Sequence, residues 1–271
     1  MKLSEAIERL RFAGVPSPEY DAGELFRYAL GIERSAIIPR DKDFQSDILA
    51  RFIKRREERE PLQYIIGEVC FYREEYTVTP DVLIPRSDTE MLVDYAVKNI
   101  PEGELFFDLC TGSGCIAVST LSNTKNTRAL AVDISERAIK IAKTNAARNG
   151  VADRLDTAVC DVLSEDIPRC DKPFAVLSNP PYVTAGEYEA LEPEIYREPK
   201  EAFVGGDDGL VFYERLLPMA LELIKDGGFA AFEIGYMQGE ALRALSERCS
   251  ASVEIIKDYS GCDRVAVIRK K

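Results

Sequence analysis

The sequence predicts a doubly wound α/β fold: a mostly parallel seven-stranded sheet with a terminal antiparallel hairpin, plus a small N-terminal helical domain. Three observations predict it. From residue 104 short apolar runs alternate with helical segments, and residues 1–60 read as helical. At the C-terminus, VEIIKDY and RVAVIRK are joined only by SGCD, a link too short for a crossover helix, so the last strand must run antiparallel to its neighbour.

In chain order, Leu3, Ile7 and Leu10 share a helix face and Gly14 follows as a stop. Ser17-Pro18 reads as an N-cap with proline at the first helical position, opening a helix that ends near Gly31. A third helix, from about Phe44 to Glu60, carries Ile48 and Phe52 on one face and ends in the run RREERE, which reads as a solvated helix end. Residues 62–79 are β-branched and aromatic around Gly67 and predict a hairpin that closes the first domain. Ser87-Asp88-Thr89-Glu90 has capping-box spacing, which predicts a helix to about Asn99. The runs ELFFDL, ALAVD, FAVLSN and GFAAFEI are short and continuous, as strands buried on both faces should be, and LDTAVCD reads as a further strand after ALAVD. SERAIKIAKTNAARNG, between two of them, is a helix from Ser135 to Gly150. The domains are therefore 1–80 and 81–271.

Composition narrows the chemistry. Of the 271 residues none is histidine, which removes Ser-His-Asp and Cys-His catalysis, histidine bases and His-ligated zinc. The seven cysteines contain no C-x-x-C pair, so neither a disulfide framework nor a four-cysteine metal site is expected. Net charge is −12, with 13 Lys/Arg and 15 Asp/Glu in residues 1–80 against 22 and 32 in residues 81–271. That balance argues against a broad grip on nucleic acid. The N-terminus has neither the basic start nor the apolar block of a signal peptide, and no apolar run is long enough to span a membrane. The expected location is cytoplasmic.

Two motifs carry the chemistry. In Asp108-Leu109-Cys110-Thr111-Gly112-Ser113-Gly114-Cys115 a strand passes through a glycine turn into a helix whose N-terminal N–H groups suit an anionic group. Asp108 lies in a run that should be buried, where it either meets a cationic ligand group or caps the adjacent turn. Asp133 ends the next strand, where an acid accepts hydrogen bonds from ribose hydroxyls or else caps the helix at Ser135. Asp161 ends the strand after that, beside an expected adenine or in an ordinary loop. These marks alone permit a nicotinamide dinucleotide, although a third glycine and a hydride-relay base are missing. The second motif, Asn179-Pro180-Pro181-Tyr182, decides it. It places an amide and two prolines at the carboxyl end of a strand, the edge where open α/β sheets bind ligands. The prolines remove two N–H donors, so the Asn179 side-chain oxygen and the Pro180 carbonyl are left to receive the two N–H bonds of one planar NH2 group, with Tyr182 as an aromatic wall. Such a site aims a nitrogen at a sulfonium methyl and needs no general base.

The chain resembles the HemK/PrmC family, the protein-(glutamine-N5) methyltransferases. The resemblance runs over Pro61–Gly67, Leu83–Glu90, the Asn-Pro-Pro-Tyr site, Glu198-Pro199, Gly205–Leu210, Glu233–Tyr236 with Gln238-Gly239, and Asp258–Arg264. Cys110 departs from it, since many relatives have glycine there. The resemblance implies an S-adenosylmethionine-dependent methyltransferase fold. It implies that Asp108, Cys110, Thr111, Gly112, Ser113, Gly114, Asp133, Ile134, Asp161, Val162 and Asn179 hold S-adenosylmethionine, released as S-adenosylhomocysteine, with no metal. Asn179, Pro180, Pro181 and Tyr182 would hold the acceptor, the glutamine of the Gly-Gly-Gln motif in class 1 peptide chain release factors. The helical domain would recognise the release factor, leaving the glutamine loop to enter between domains. Arg86 would lie near the cofactor or in an interdomain ion pair. The sister activity on a ribosomal-protein glutamine uses the same tetrapeptide. A DNA or RNA amino-methyltransferase and a catalytically silent scaffold fit the residues less well.

Overall fold

The computed structural model describes residues 1–37, 42–168 and 171–271. Two compact units emerge: Met1–Glu68 with Glu192–Arg197, and Val69–Leu191 with Glu198–Lys271. Among the described residues no helix is long and apolar enough to cross a membrane.

The first unit is built on helices α1 (Leu3–Phe12), α2 (Pro18–Leu30), α3 (Asp47–Glu57) and α4 (Leu62–Ile66). Leu3, Ile7 and Leu10 are buried as their spacing predicts. Pro18 opens α2 and left-handed Gly31 closes it, but Ser17 makes no side-chain cap. On α3 the buried line is Leu49, Ile53 and Arg56, and Ile48 is 47% exposed, so the face expected from Ile48 and Phe52 is one position off. The charged tail that follows is no solvated end. The Arg56 side chain is 5% exposed and pairs with Asp21 at 2.7 Å and Glu194 at 2.9 Å, while Arg59 pairs with Glu194 at 2.6 Å. Burial raises the proton affinity of Glu194, and the Arg59 and Arg56 guanidiniums outweigh it, holding the carboxyl below its usual range.

The hairpin expected around Gly67 is displaced. Residues 62–66 form α4, and Gly67 at φ +89° terminates that helix instead of turning a strand. The hairpin follows as β1 (Glu68–Phe71) and β2 (Glu74–Thr77), turning at Tyr72-Arg73. The capping box is also absent: Ser87–Thr89 is a 3-10 turn, and α5 (Glu90–Asn99) starts after it. Glu90 accepts instead from the Tyr72 N–H at 2.9 Å.

The second unit holds a seven-stranded sheet of β3 (Leu105–Leu109), β4 (Arg128–Asp133), β5 (Leu155–Val159), β6 (Ala175–Ser178), β7 (Phe229–Glu233), β8 (Ala251–Lys257) and β9 (Asp263–Lys270). Its order is β5-β4-β3-β6-β7-β9-β8, parallel except where β9 enters antiparallel between β7 and β8. Helices α6 (Cys115–Ser122), α7 (Glu136–Arg148), α9 (Val211–Leu223) and α10 (Gly239–Arg248), with the single turn α8 (Ala185–Tyr188), complete the unit. One apolar layer joins Leu92, Val93 and Val118 to the sheet, and another joins Leu216, Leu217 and Leu242. Leu109 pairs with Ser178 and Ser178 with Phe232, so Cys110, Asn179 and Glu233 form the next row across the carboxyl edge.

Candidate active site

At that edge lies a cavity of about 760 Å³, a size ordinary for a cofactor site. Cys110, Thr111, Gly112, Ser113, Asp133, Ile134, Asp161, Val162, Asn179 and Pro181 line it. Asp108, Gly114, Pro180 and Tyr182 are not among its lining residues.

The cofactor half grows from the turn after β3. Cys110 adopts φ +58°, a left-handed conformation that costs a side-chain-bearing residue about 1–2 kcal/mol. Gly114 is where the turn meets α7: a Cβ there would stand 2.9 Å from the Ala142 Cβ, so only glycine lets the turn seat. Asp108 is fully buried and serves this turn from below. Its Oδ2 accepts from Thr111 Oγ1 at 2.6 Å and from the Ala117 N–H at 3.1 Å. The α6 N-terminus is thus partly satisfied from within. Burial pushes the Asp108 carboxyl up to about 7, and its other oxygen has no hydrogen-bond partner among the described residues. Asp133 accepts from the Gly112 N–H at 2.8 Å and the Ser135 N–H at 2.9 Å, which ties the end of β4 to the glycine turn. Burial raises its proton affinity. Ser135, not Asp133, caps α7 by accepting from Ala138. Asp161 is held below the usual carboxylate range by hydrogen bonds from the Ser164 hydroxyl and the Leu163 N–H. Ile134 is 63% exposed on the cavity wall, and Val162 is buried beside it.

The acceptor half grows from β6. Asn179 donates from Nδ2 to Thr89 Oγ1 at 3.1 Å, which leaves Oδ1 as the end of the amide free to accept from a ligand. Tyr182 donates its hydroxyl to Glu233 Oε1 at 3.2 Å. The following chain is clamped from below. Val183 bridges Val204, and a Cβ on Gly205 would come within 2.4 Å of the Pro181 carbonyl oxygen. Gln238 donates to the carbonyls of Tyr182 and Gly209, both at 3.1 Å. Arg86 lines the cavity and pairs with Glu198, which also accepts from the Ile84 N–H at 2.9 Å; all three belong to the larger unit.

Thr89, Glu233 and Gln238 are residues to which the sequence assigned no role. For Glu233 a signal existed: it is an acid inside the apolar run GFAAFEI, as Asp108 is inside ELFFDL. Thr89 and Gln238 lie in segments that carry the family resemblance, but their bonds to Asn179 and Tyr182, 90 and 56 residues away, have no local signal.

Known proteins supply a further comparison. Residues 2–67 match the family described as the PrmC N-terminal domain, and residues 87–219 match the methyltransferase small domain. The release factor glutamine methyltransferase of Fusobacterium nucleatum is 34% identical over 279 residues, covering 98% of this chain and 77% of that protein. That of Thermodesulfovibrio yellowstonii is 36% identical over 260 residues, with 92% of each chain covered. Among solved structures, the ribosomal protein L11 methylase of Lactobacillus delbrueckii subsp. bulgaricus shares the fold, with a TM-score of 0.52 at 18% identity over 72% of this chain and 84% of that one.

Proposed function

The chain belongs to the release factor glutamine methyltransferase family, and on that premise we propose that it methylates the side-chain amide nitrogen (N5) of the Gly-Gly-Gln glutamine in class 1 peptide chain release factors, with S-adenosylmethionine as donor, in the cytoplasm. The observation that carries this reading is the orientation of Asn179. Its NH2 end is committed to Thr89, so its oxygen remains to receive an N–H from a planar amide at the carboxyl edge of β6. The donor-free Pro180-Pro181 backbone beside it adds acceptors and no competing donor.

The adjoining cradle suits the donor. The tight Gly114 seat, the Asp133 carboxylate tied to the Gly112 N–H, and the apolar Ile134 and Val162 together offer a close backbone, a hydroxyl acceptor and a flat apolar wall. Cys110 to Ser113, Asp133, Ile134, Asp161 and Val162 would hold it, with Asp108 and Gly114 supporting the turn. When bound, S-adenosylmethionine supplies an electrophilic methyl on a sulfonium centre. The residues here have the remaining work. Asn179 accepts an amide N–H and directs the nitrogen lone pair, and the apolar cavity wall excludes water. A protein base is not required, because the amide proton becomes acidic only as the nitrogen would gain the methyl and the sulfur would keep the electron pair, and that proton would then pass to solvent.

The relatives favour a release factor over a ribosomal-protein glutamine, and the match of residues 2–67 supports assigning release-factor recognition to the helical unit. Incubation with methyl-labelled donor tests the whole reading: label should appear on the Gly-Gly-Gln glutamine. Efficient labelling of DNA or a ribosomal protein with none on release factors would overturn it. Asp133→Ala should weaken donor binding by about 10–100-fold, roughly 1.4–2.7 kcal/mol, in calorimetric titration of a protein with unchanged circular dichroism. Unaltered affinity would remove Asp133 from the donor site.

A further inference from the structure

An asparagine side chain is nearly symmetric in shape and opposite in chemistry at its two ends. Presenting oxygen to the cavity aids an NH2 acceptor; presenting NH2 opposes it. Something must choose. The neighbour of Asn179 is a hydroxyl, Thr89 Oγ1, which can accept or donate, so the choice passes to whatever takes the Thr89 proton. Glu233 follows Phe232, the partner of Ser178, and so stands beside Asn179 on the next strand, where the Thr89 hydroxyl bears on its carboxyl. Its side chain is buried, it accepts from the Tyr182 hydroxyl at 3.2 Å, and its second oxygen is buried with no hydrogen-bond partner among the described residues.

We propose that Glu233 is a positioning residue for the acceptor site: by taking the protons of Thr89 and Tyr182 it makes Thr89 accept from the Asn179 NH2 group, so that Asn179 shows its carbonyl oxygen to the acceptor amide. The inference rests on the methyl-transfer reading above and adds to it the group that sets the polarity of the site. A carboxylate can only accept, so an ionised Glu233 fixes the direction of both hydroxyls. A protonated Glu233 could donate to Thr89, which could then donate to Asn179 and reverse the amide.

Burial pushes the Glu233 carboxyl up to about 7, against the pull of the Thr89 and Tyr182 hydroxyls and of Arg264, with Asp88 raising it further. Arg264 is itself paired with Asp88 at 3.2 Å and Asp258 at 3.1 Å. The Tyr213 hydroxyl is spent on the Glu233 backbone carbonyl at 2.8 Å, and the Cys115 thiol, its ionisation suppressed by burial, completes the titratable surroundings.

Thr89→Val, Thr89→Ser and Glu233→Gln test this with release factor as acceptor. Thr89→Val and Glu233→Gln should lower kcat by at least about tenfold with donor affinity within about threefold of the parent, whereas Thr89→Ser should keep kcat within about threefold. The parent kcat should rise with pH through about 7, and Glu233→Gln should lose that limb, which distinguishes Glu233 from Asp108, a carboxyl also near 7. A second readout needs no acceptor: the Asn179 side-chain NH2 resonances, identified by their disappearance in Asn179→Asp, should resist hydrogen exchange in the parent and lose that protection in both Thr89→Val and Glu233→Gln. Equal kcat and pH profile across the variants, or equal exchange in the parent and Thr89→Val, would overturn the proposal. Failure of the parent to methylate any release factor would defeat the functional reading alone, and unchanged exchange in Glu233→Gln would still overturn the role of Glu233.

Discussion

Asn179→Ala should lower methyl transfer at saturating donor and acceptor by at least about a hundredfold, the scale seen when one preorganised polar contact to the reacting group is lost. Donor affinity should stay within about tenfold, roughly 1.4 kcal/mol. The split follows from geometry. The Asn179 amide is anchored on Thr89 at 3.1 Å, on the acceptor side of the cavity, whereas the glycine turn is held through Asp108 and Asp133. Single-turnover labelling with separate donor titration checks it. A collapse of donor binding with little change in the transfer step would place Asn179 in the donor pocket instead.

The second large effect concerns stability. Arg56→Ala should destabilise the helical unit by about 3–5 kcal/mol, because it leaves Asp21 buried without its cation and removes one of two arginines from Glu194. Burial already raises the proton affinity of Asp21 despite the guanidinium bound to it at 2.7 Å, so the orphaned carboxyl would pay the full penalty of its surroundings. The exposed Arg51 is the control: Arg51→Ala should stay within about 0.5 kcal/mol. Denaturant titration followed by circular dichroism compares them, and an Arg56→Ala midpoint equal to that of Arg51→Ala would refute the assignment.

Much of this molecule was legible in its sequence because the relevant signals are local. Strand runs alternate with helices, an SGCD link forces the last strand antiparallel, and the glycine turn and Asn179-Pro180-Pro181-Tyr182 both sit at strand ends, where the sheet delivers Cys110 to Ser113 and Asn179 to one cavity. What escaped depends on distant partners. RREERE looks solvated until Asp21 and Glu194, the latter 138 residues from Arg56, are brought to it. Residues 62–66 carry isoleucine and tyrosine that favour strands, yet burial of Leu62, Tyr64 and Ile65 and the left-handed Gly67 decide for a helical turn. Glu90 had the spacing to cap Ser87 but found the Tyr72 N–H, a competitor no local pattern reveals. Asp108, read as meeting a ligand or capping a turn, turns out to brace the turn that the ligand would meet.

The row formed by Cys110, Asn179 and Glu233 has a consequence for how such a site can change. Each residue comes from a different strand, and what aligns them is the pairing of Leu109 with Ser178 and of Ser178 with Phe232. Neighbouring strands lie about 4.8 Å apart and successive side chains point to opposite faces, so slipping one strand by a single residue scrambles the row while every motif stays intact in the sequence. The working unit is a phase relation among three strands rather than a tetrapeptide. Loops around it are free to vary in length, whereas an insertion within β3, β6 or β7 is a frameshift in space.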